Sequence, residues 1–393
     1  MQIRRCAVLF IEPREDLCID WPSVLAGNSV LGASFTWIAL APHLDREVVI
    51  TTEEMQALGG IGLSLWIERE AGEQRFGPEV IGHLLALGLL VGDTSECAQF
   101  RTRDDILRAQ HWRPLAVAAH MFSRWEGRQI DPGTKYVTFQ DMVDAYGPLP
   151  SPTVERQAVD DLIRFPACDR KGLDDILFQR YTGRNFDPHA VLPFEVAARL
   201  LQRTFGAQAQ CLVAPDAHVL KKTSPSAGSM HPIEAYVLVQ RVEGVAPGLY
   251  HYHSVQNGLE PLSTMDTTQT AALALQMVAD QDWFADVPMM VVLAARVVRN
   301  FWKYRNNAKA HRAVILDAGH LSQTFYLLAA EAGMPAFITA AINEAEIERA
   351  FGLDPLQDAV IAVCGCGPAS GDRTTLELRL NQAVTGLRIS ERR

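Results

Sequence analysis

The sequence lacks the features that mark several large classes of protein. No stretch of its 393 residues approaches the roughly 20 apolar residues of a membrane span. Seven scattered cysteines, an odd number, do not make the framework of a disulfide-stabilised secreted domain. Arg4 and Arg5 begin the chain, but the apolar run after them is too short for the core of a signal peptide. We therefore expect a cytoplasmic protein with no membrane partner.

Positive charge and nucleotide-binding glycine patterns are also scarce. The net charge of −10 argues against a nucleic-acid partner, which would require a basic surface. No Gly-x-Gly-x-x-Gly follows an apolar strand, which argues against a Rossmann dinucleotide site. Cys364 and Cys366, like His251 and His253, lie two residues apart and would share one face of a strand. Packed side chains explain these pairs better than metal ligands, so we expect no metal site.

The remaining composition is that of an ordinary globular protein in two parts. Apolar residues make up 48% and charged residues 21% of the chain. Three prolines among residues 148–152 disfavour both helix and central strand, and they mark a boundary. We expect a first domain over residues 1–145, a proline-rich linker with a short helix over 146–173, and a second domain over 174–393.

The first part has the outline of a winged helix. Thr51 and Glu54 form a capping-box pattern that predicts one helix, and Pro78 to Gly88 predicts a second. A short strand, Leu89 to Val91, follows and is expected to turn into a hairpin. The second helix contains no lysine or arginine, so it is a poor reader of DNA. A domain that packs on the second one is the simpler interpretation of this part, and a helix from Leu115 to Trp125 is expected to join the two parts.

The second part mixes helices and strands without a regular alternation, which predicts an α+β fold. The predicted strands cover residues 234–240, 287–296 and 359–364, and the predicted helices cover 192–202, 267–279, 312–332 and 344–351. Asn343 is expected to cap the last helix in a capping box with Glu346.

Four segments of this part carry candidate chemistry. In the first, Arg180, Thr182 and Arg184 suit a phosphate, because arginine offers a planar fork of donors and threonine adds a hydroxyl. A solvated turn before a helix is the simpler interpretation of this segment alone. The second is the loop Pro225-Ser226-Ala227-Gly228, whose small residues let the backbone approach a flat ligand. An ordinary loop entering a strand has the same composition.

The third segment places Lys303 and Tyr304 before a helix that contains Gly319 and Gln323. A lysine and a tyrosine in apolar, aromatic surroundings can be tuned for proton transfer. A surface lysine beside a core tyrosine is the alternative. The fourth segment, residues 359–368, is an apolar strand stopped by a glycine-rich turn.

In this order, the four segments resemble the nitroreductase-type flavoproteins, and within them the SagB-type dehydrogenases. The matching residues are Arg180, Thr182, Arg184, Phe186, His231, Pro232, Glu234, Tyr236, Gly248 to Tyr252, Lys303, Tyr304, Arg312, Ala318, Gly319, His320 and Gln323. The resemblance spans residues 174–393. The chain departs from the family pattern at Ser229, where the family's loop has a second glycine.

The resemblance implies a nitroreductase-like fold with a mainly antiparallel sheet flanked by helices, and a homodimer that binds FMN at the subunit interface. It implies oxidation of thiazoline or oxazoline rings in a ribosomally made, modified precursor peptide, with a cyclodehydratase or other maturation enzymes as partners. The Lys303–Tyr304 pair would be catalytic. The first domain, residues 1–145, would grip the peptide, and packing on the second domain remains the alternative. The candidate FMN contacts are Arg180, Thr182, Arg184, Pro225, Ser226, Ala227, Gly228, Gln323 and, more weakly, Arg373.

Two other functions fit the same residues. One is a flavin-dependent reductase of dehydroamino acids or nitro compounds that uses NAD(P)H. The other is a non-catalytic scaffold that binds the peptide within a maturation complex. Flavin content and nicotinamide dependence would separate the three.

Overall fold

A computed structural model describes residues 1–19, 24–27, 31–130, 139–152, 163, 165–166, 169, 171–371 and 377. The strands of the amino-terminal part are β1 (Gln2–Arg5), β2 (Phe10–Ile19), β3 (Leu31–Leu40), β4 (Glu47–Ile50), β5 (Ile67–Glu68) and β6 (Leu90–Gly92). Its helices are α1 (Thr52–Gly60), α2 (Arg69–Phe76), α3 (Pro78–Leu87), α4 (Ala98–Ala109), α5 (Pro114–Ser123) and α6 (Phe139–Tyr146).

Two small antiparallel sheets organise the amino-terminal part. One has the order β5-β1-β6 and the other the order β2-β3-β4. Both predicted helices form: Thr51 and Glu54 make the capping box of α1, and Gly88 ends α3 in the left-handed conformation. The strand predicted after α3 is present as β6, but it pairs with β1 at the beginning of the chain. The predicted hairpin is therefore wrong, and the winged helix stays a prediction.

The carboxy-terminal part contains one large sheet and its covering helices. Its strands are β7 (Ala209–Ala214), β8 (Ala217–Lys221), β9 (Ile233–Val239), β10 (Gly248–His253), β11 (Gly258–Thr264), β12 (Met289–Arg296), β13 (Ala336–Thr339) and β14 (Asp358–Cys366). Its helices are α7 (Gly172–Gln179), α8 (Phe194–Phe205), α9 (Thr267–Met277), α10 (Asp282–Ala285), α11 (Val297–Phe301), α12 (Ala310–Glu331) and α13 (Glu344–Phe351).

The large sheet has the strand order β11-β10-β9-β12-β14-β13, and its neighbours all pair antiparallel. Alternate residues of β12 enter two different cores: Val291 packs with α8 and α12, while Met290 and Val292 pack with α9, α10 and α13. Because both faces are covered, the strand is apolar throughout. The predicted α+β fold with a mainly antiparallel sheet flanked by helices is confirmed.

Several local predictions also have a clear outcome. Cys364 and Cys366 are buried, and burial raises the pKa of Cys366 to about 12, so they are packed thiols as expected. The capping box predicted for α13 is wrong. Asn343 is its N-cap residue but makes no side-chain capping bond. Its side chain instead accepts from the backbone N–H of Arg128 at 2.9 Å and donates to the Gln276 carbonyl at 2.9 Å.

Helix α5 lies where the sequence predicts a connecting helix, and its surroundings contact both parts of the chain. Trp112, just before it, donates from Nε1 to the Leu356 carbonyl at 3.0 Å, and His120 lies 3.2 Å from the Pro355 carbonyl. The predicted helix over residues 154–163 lies outside the described residues, apart from residue 163. No helix among the described residues is long and apolar enough to cross a membrane.

Candidate active site

The loop between β8 and β9 is held in shape by one serine. Ser226 Oγ donates to Asp317 Oδ2 at 2.5 Å and accepts from the backbone N–H of His231 at 2.8 Å. The backbone N–H of Ala227 also points to Asp317, at 3.3 Å. Ser226 and Ala227 are therefore fixed to Asp317 of helix α12, which gives the segment Pro225 to Gly228 a defined position.

Asp317 is a site residue that the sequence reasoning missed. Asp317 is 4% exposed. Burial raises the pKa of its carboxyl, and the hydrogen bonds from Ser226 and Ala227 lower that pKa. A buried carboxylate requires hydrogen-bond donors, and the loop supplies them. The available signal was an acidic residue on the apolar face of a helix, between Val314 and Leu321.

The structure brings the Lys303–Tyr304 pair against this loop. Lys303 Nζ lies 3.4 Å from the Gly228 carbonyl oxygen. A methyl group on Gly228 would lie 2.5 Å from Lys303 Nζ and 2.5 Å from Tyr304 Oη. Tyr304 is half-buried, whereas Lys303 is exposed. The described residues therefore do not bury Lys303.

Two of the candidate phosphate residues, Arg180 and Thr182, contact helix α12 at Tyr326. Arg180 stacks its guanidinium 5.3 Å from the ring centre of Tyr326, and Thr182 Oγ1 lies 3.0 Å from Tyr326 Oη. The backbone N–H of Arg184 donates to the Glu377 carboxylate at 2.6 Å. Neither guanidinium forms an ion pair among the described residues, so both remain free for an anion there. Arg373 lies outside the described residues.

The two groups are separated along helix α12. Asp317 and Tyr326 are nine residues apart, which corresponds to about 14 Å of helix. Gln323 lies between them, exposed on the helix surface. The structure therefore brings the loop together with Lys303 and Tyr304. Arg180 and Thr182 contact helix α12 farther along, at Tyr326.

Ser229, the departure from the family motif, adopts a backbone conformation that glycine favours. Its φ is +57°, and that of Gly228 before it is +59°. The serine N–H still donates to the Ser226 carbonyl at 3.1 Å, so the turn is preserved. A left-handed conformation costs a residue with a Cβ about 1–2 kcal/mol.

This geometry predicts opposite outcomes for two adjacent substitutions. Gly228→Ala should lower the free energy of unfolding by about 1–2 kcal/mol, because the methyl group is strained and displaces Lys303 and Tyr304. Ser229→Gly, the matched control, should not destabilise the protein. Urea denaturation of both variants measures this, and an unchanged Gly228→Ala midpoint would contradict the described loop.

Residues 177–367 match the profile of the nitroreductase family. These residues contain the loop, the Lys303–Tyr304 pair, helix α12 and the large sheet. Residues 177–367 therefore form a nitroreductase-family domain, as the motifs of this segment predicted.

Three relatives are similar in sequence to part of the chain. The trifolitoxin-processing protein TfxB of Rhizobium leguminosarum bv. trifolii is 26% identical over 144 residues, which are 36% of this chain and 38% of TfxB. A nitroreductase-like protein of Methanocaldococcus jannaschii is 27% identical over 187 residues, 48% of this chain and 87% of that protein. The microcin B17-processing protein McbC of Escherichia coli is 24% identical over 196 residues, 49% of this chain and 68% of McbC. The chain thus spans well under half of TfxB.

A solved structure extends the fold similarity beyond the family region. A chain of the E. coli microcin synthetase McbBCD complex with truncated pro-MccB17 bound superposes with a TM-score of 0.50 at 18% identity. The match covers 68% of this chain and 94% of that chain. At this identity the match establishes the fold.

Proposed function

We propose that this protein is an FMN-dependent dehydrogenase that oxidises thiazoline or oxazoline rings of a ribosomally made peptide to thiazole or oxazole. The observation that carries the proposal is the contact between the loop at Gly228 and the pair Lys303 and Tyr304. A loop that admits a flat ring and a pair that handles protons meet at one point. Oxidation of an azoline requires both.

The donor set fits a flavin mononucleotide. The guanidinium groups of Arg180 and Arg184 form no ion pair among the described residues and, with Thr182, would hold the phosphate, while the Glu377 carboxylate bonds only the backbone N–H of Arg184. Residues 225–228 would lie against the ring, and Gln323 would bond its polar edge. FMN, when bound, accepts a hydride at N5. Nothing in the sequence resembles an adenine site, so FMN is preferred to FAD.

The chain itself must handle the proton. Conversion of an azoline to an azole removes one hydride and one proton, so a base must reach the Cα–H of the ring. Tyr304 Oη and Lys303 Nζ flank Gly228, beside the expected position of the flavin ring. We assign proton removal to this pair, with either Tyr304 Oη or Lys303 Nζ as the base.

A second copy of the chain would complete the site. Helix α12 exposes Ile315 and Leu316, and helix α7 exposes Leu173 and Leu177. Trp302, next to the exposed Lys303, is 60% exposed. Apolar groups packed between two copies would exclude water from the lysine. A homodimer with FMN at the interface accounts for this exposed apolar surface.

The names of the relatives support a peptide substrate. TfxB and McbC are named for the processing of trifolitoxin and microcin B17, and the structure with similar fold is titled as a synthetase complex with a truncated pro-peptide bound. We extend this to a modified precursor peptide as substrate and to a cyclodehydratase or other maturation enzymes as partners.

The principal alternative is a reductase. The match to the nitroreductase family and to the M. jannaschii protein favours it, because both names denote reduction. Bleaching of the flavin by NAD(P)H in air-free buffer would support reduction, whereas bleaching by an azoline peptide alone supports oxidation. A protein that binds peptide tightly without flavin would be the non-catalytic scaffold instead.

The first test is the visible absorption spectrum of the purified protein, with mass spectrometry of whatever heat releases. We expect a flavin spectrum and the mass of FMN. Arg180→Met should weaken FMN binding by roughly 10- to 100-fold, the effect of losing a charge-assisted hydrogen bond. Arg199→Met, which removes an exposed arginine paired with Glu331, is the control and should bind FMN normally.

The proposal does not survive one result. A protein that is colourless and stays colourless after incubation with FMN is not a flavin dehydrogenase. The peptide-binding scaffold would then be the better account.

A further inference from the structure

A cavity lies beside the β8–β9 loop, with Met230 and His231 of that loop in its lining. It has a volume of about 260 Å³ and lies between β8, β9, β10 and the region where β12 meets α11. Its charged and ionisable lining includes Lys222, His231, Glu234, His251, Arg296 and Arg299. The proposed FMN contacts and the Lys303–Tyr304 pair are not part of this lining.

Lys222 is the unusual member of this group. The residue is 3% exposed, yet its ammonium has no hydrogen-bond or ion-pair partner within the part of the chain that the structure describes. Burial lowers its pKa, with the charge of Arg299 acting in the same direction and that of Glu234 in the opposite one. Its Nζ is not among the fully buried side-chain atoms that lack a hydrogen-bond partner, and Lys222 lines the cavity, so its charge is open to a ligand there.

The nearby carboxylate is already occupied. Glu234 accepts from Arg296 Nη1 at 3.1 Å and lies 3.6 Å from His251 Nε2. His251 also contacts Glu260 from its other ring nitrogen, at 2.6 Å. The Glu234 carboxylate therefore interacts with Arg296 and His251, and it forms no ion pair with Lys222 among the described residues.

The cavity is consequently positive. Three cationic side chains, those of Lys222, Arg296 and Arg299, face one carboxylate, that of Glu234, among the described lining residues. Arg299 is fixed in place by donation to the carbonyls of Met230 at 3.0 Å and His218 at 2.9 Å. A local excess of positive charge in a chain of net charge −10 marks a place for an anion.

We propose that this cavity binds an oxyanion group, a phosphate or a carboxylate, through the ammonium of Lys222. Arg296 and Arg299 supply the surrounding field, and His231 is available as a hydrogen-bonding group because burial lowers its pKa to about 4 and leaves it uncharged at neutral pH. The volume suits inorganic phosphate or an acidic side chain and is below the range of drug-sized ligands. The site goes beyond the proposed dehydrogenase and does not depend on it.

The position of the site gives it a relation to the loop. Lys222 and His231 also line the narrow space beneath Pro225 and Ser226, next to Asp317. The N–H of His231 is held by Ser226 Oγ, the same atom that bonds Asp317. An anion on Lys222 would thus lie close to Pro225 and Ser226 of the same loop that contacts Lys303 at Gly228.

Calorimetric titration of the full-length protein as purified tests the proposal. The probes are inorganic phosphate and N-acetylglutamate amide. Lys222→Met should weaken binding of the preferred probe at least about tenfold, the loss of one charge-assisted hydrogen bond. Lys221→Met removes the exposed lysine immediately before it and should leave the affinity unchanged. Lys222→Arg, which keeps the charge, should retain most of the binding.

Each result has a definite meaning. Tighter phosphate binding identifies a phosphate-bearing ligand, and tighter binding of the glutamate probe identifies an acidic peptide. Without any anion, Lys222→Met should melt at or above the wild-type temperature, because it removes an unpaired charge from a largely buried side chain. Equal affinities of the two methionine variants, absence of binding of both probes at millimolar concentration, or a lower melting temperature of folded Lys222→Met would overturn the proposal.

Discussion

Tyr304→Phe should reduce the rate of azoline oxidation by roughly 10²- to 10⁴-fold, the contribution of a positioned acid–base group. Lys303→Met should have an effect of the same order. Both groups lie at Gly228, where a methyl group would touch each of them. The measurement is turnover of an azoline peptide by protein with a confirmed FMN content. Because the pair acts as a unit, the double variant should lose little more than either single variant.

The control must separate chemistry from folding. Arg305 is the next residue, is exposed, and donates only to the Trp302 carbonyl among the described contacts, so Arg305→Met should keep full turnover. Each variant should also retain the flavin spectrum, since neither side chain is assigned to hold the phosphate. If Lys303→Met and Tyr304→Phe both retain flavin and full turnover, the proton-transfer assignment is wrong.

Arg124→Met should lower the free energy of unfolding by about 3–5 kcal/mol, the usual cost of leaving one charge of a buried pair. The guanidinium of Arg124 bonds both oxygens of Glu348, at 2.9 and 2.5 Å, and also contacts Asp45 at 2.5 Å. The side chains of Arg124 and Glu348 are 7% and 5% exposed. Urea denaturation followed by tryptophan fluorescence measures the loss.

The pH dependence gives this prediction a direction. Burial raises the pKa of Glu348 to about 7 even beside Arg124, from an ordinary value of 4.5. A raised native pKa stabilises the fold at low pH, and that contribution is lost as pH rises through the native value. Without Arg124 the pKa should rise further. The destabilisation of Arg124→Met should therefore be larger at pH 9 than at pH 6.

A second substitution serves as the control for this pair. Arg124→Met combined with Glu348→Met removes both charges and should recover most of the lost stability, because a buried ion pair replaced by apolar groups is often neutral. It should also remove the extra loss at pH 9. A double variant as unstable as Arg124→Met alone would show that the ion pair does not carry the effect.

The elements of the fold could be predicted where the signal is local. Proline at the start and glycine after the end define α3, and the capping-box residues Thr51 and Glu54 define α1. Helix α13 also begins and ends as expected. The capping box of α13 failed because Asn343 bonds Arg128 and Gln276, which are 215 and 67 residues away. Spacing along the chain contains no information about such partners.

Pairing between strands shows the same limit. The short strand after α3 was predicted from its apolar residues, but its partner β1 begins at the second residue of the chain. A hairpin was the local choice, and the distant strand prevailed because β1 also pairs with β5 and shares a core with α3. The local pattern of apolar residues predicts that a segment is a strand. The partner of that strand is determined by which pairing buries the shared hydrophobic core.

The sequence by itself determined the α+β class, the segments that carry the candidate site and the nitroreductase resemblance, because periodicity, capping and motif order are properties of adjacent residues. The tertiary structure alone decided that Asp317 holds the loop, that Gly228 lies against Lys303 and Tyr304, and that Lys222 is buried without a partner among the described residues. Each of these depends on contacts between residues far apart in the chain. Such contacts form only when the sheet and α12 bury their apolar faces together, and that packing sets the distances on which the chemistry depends.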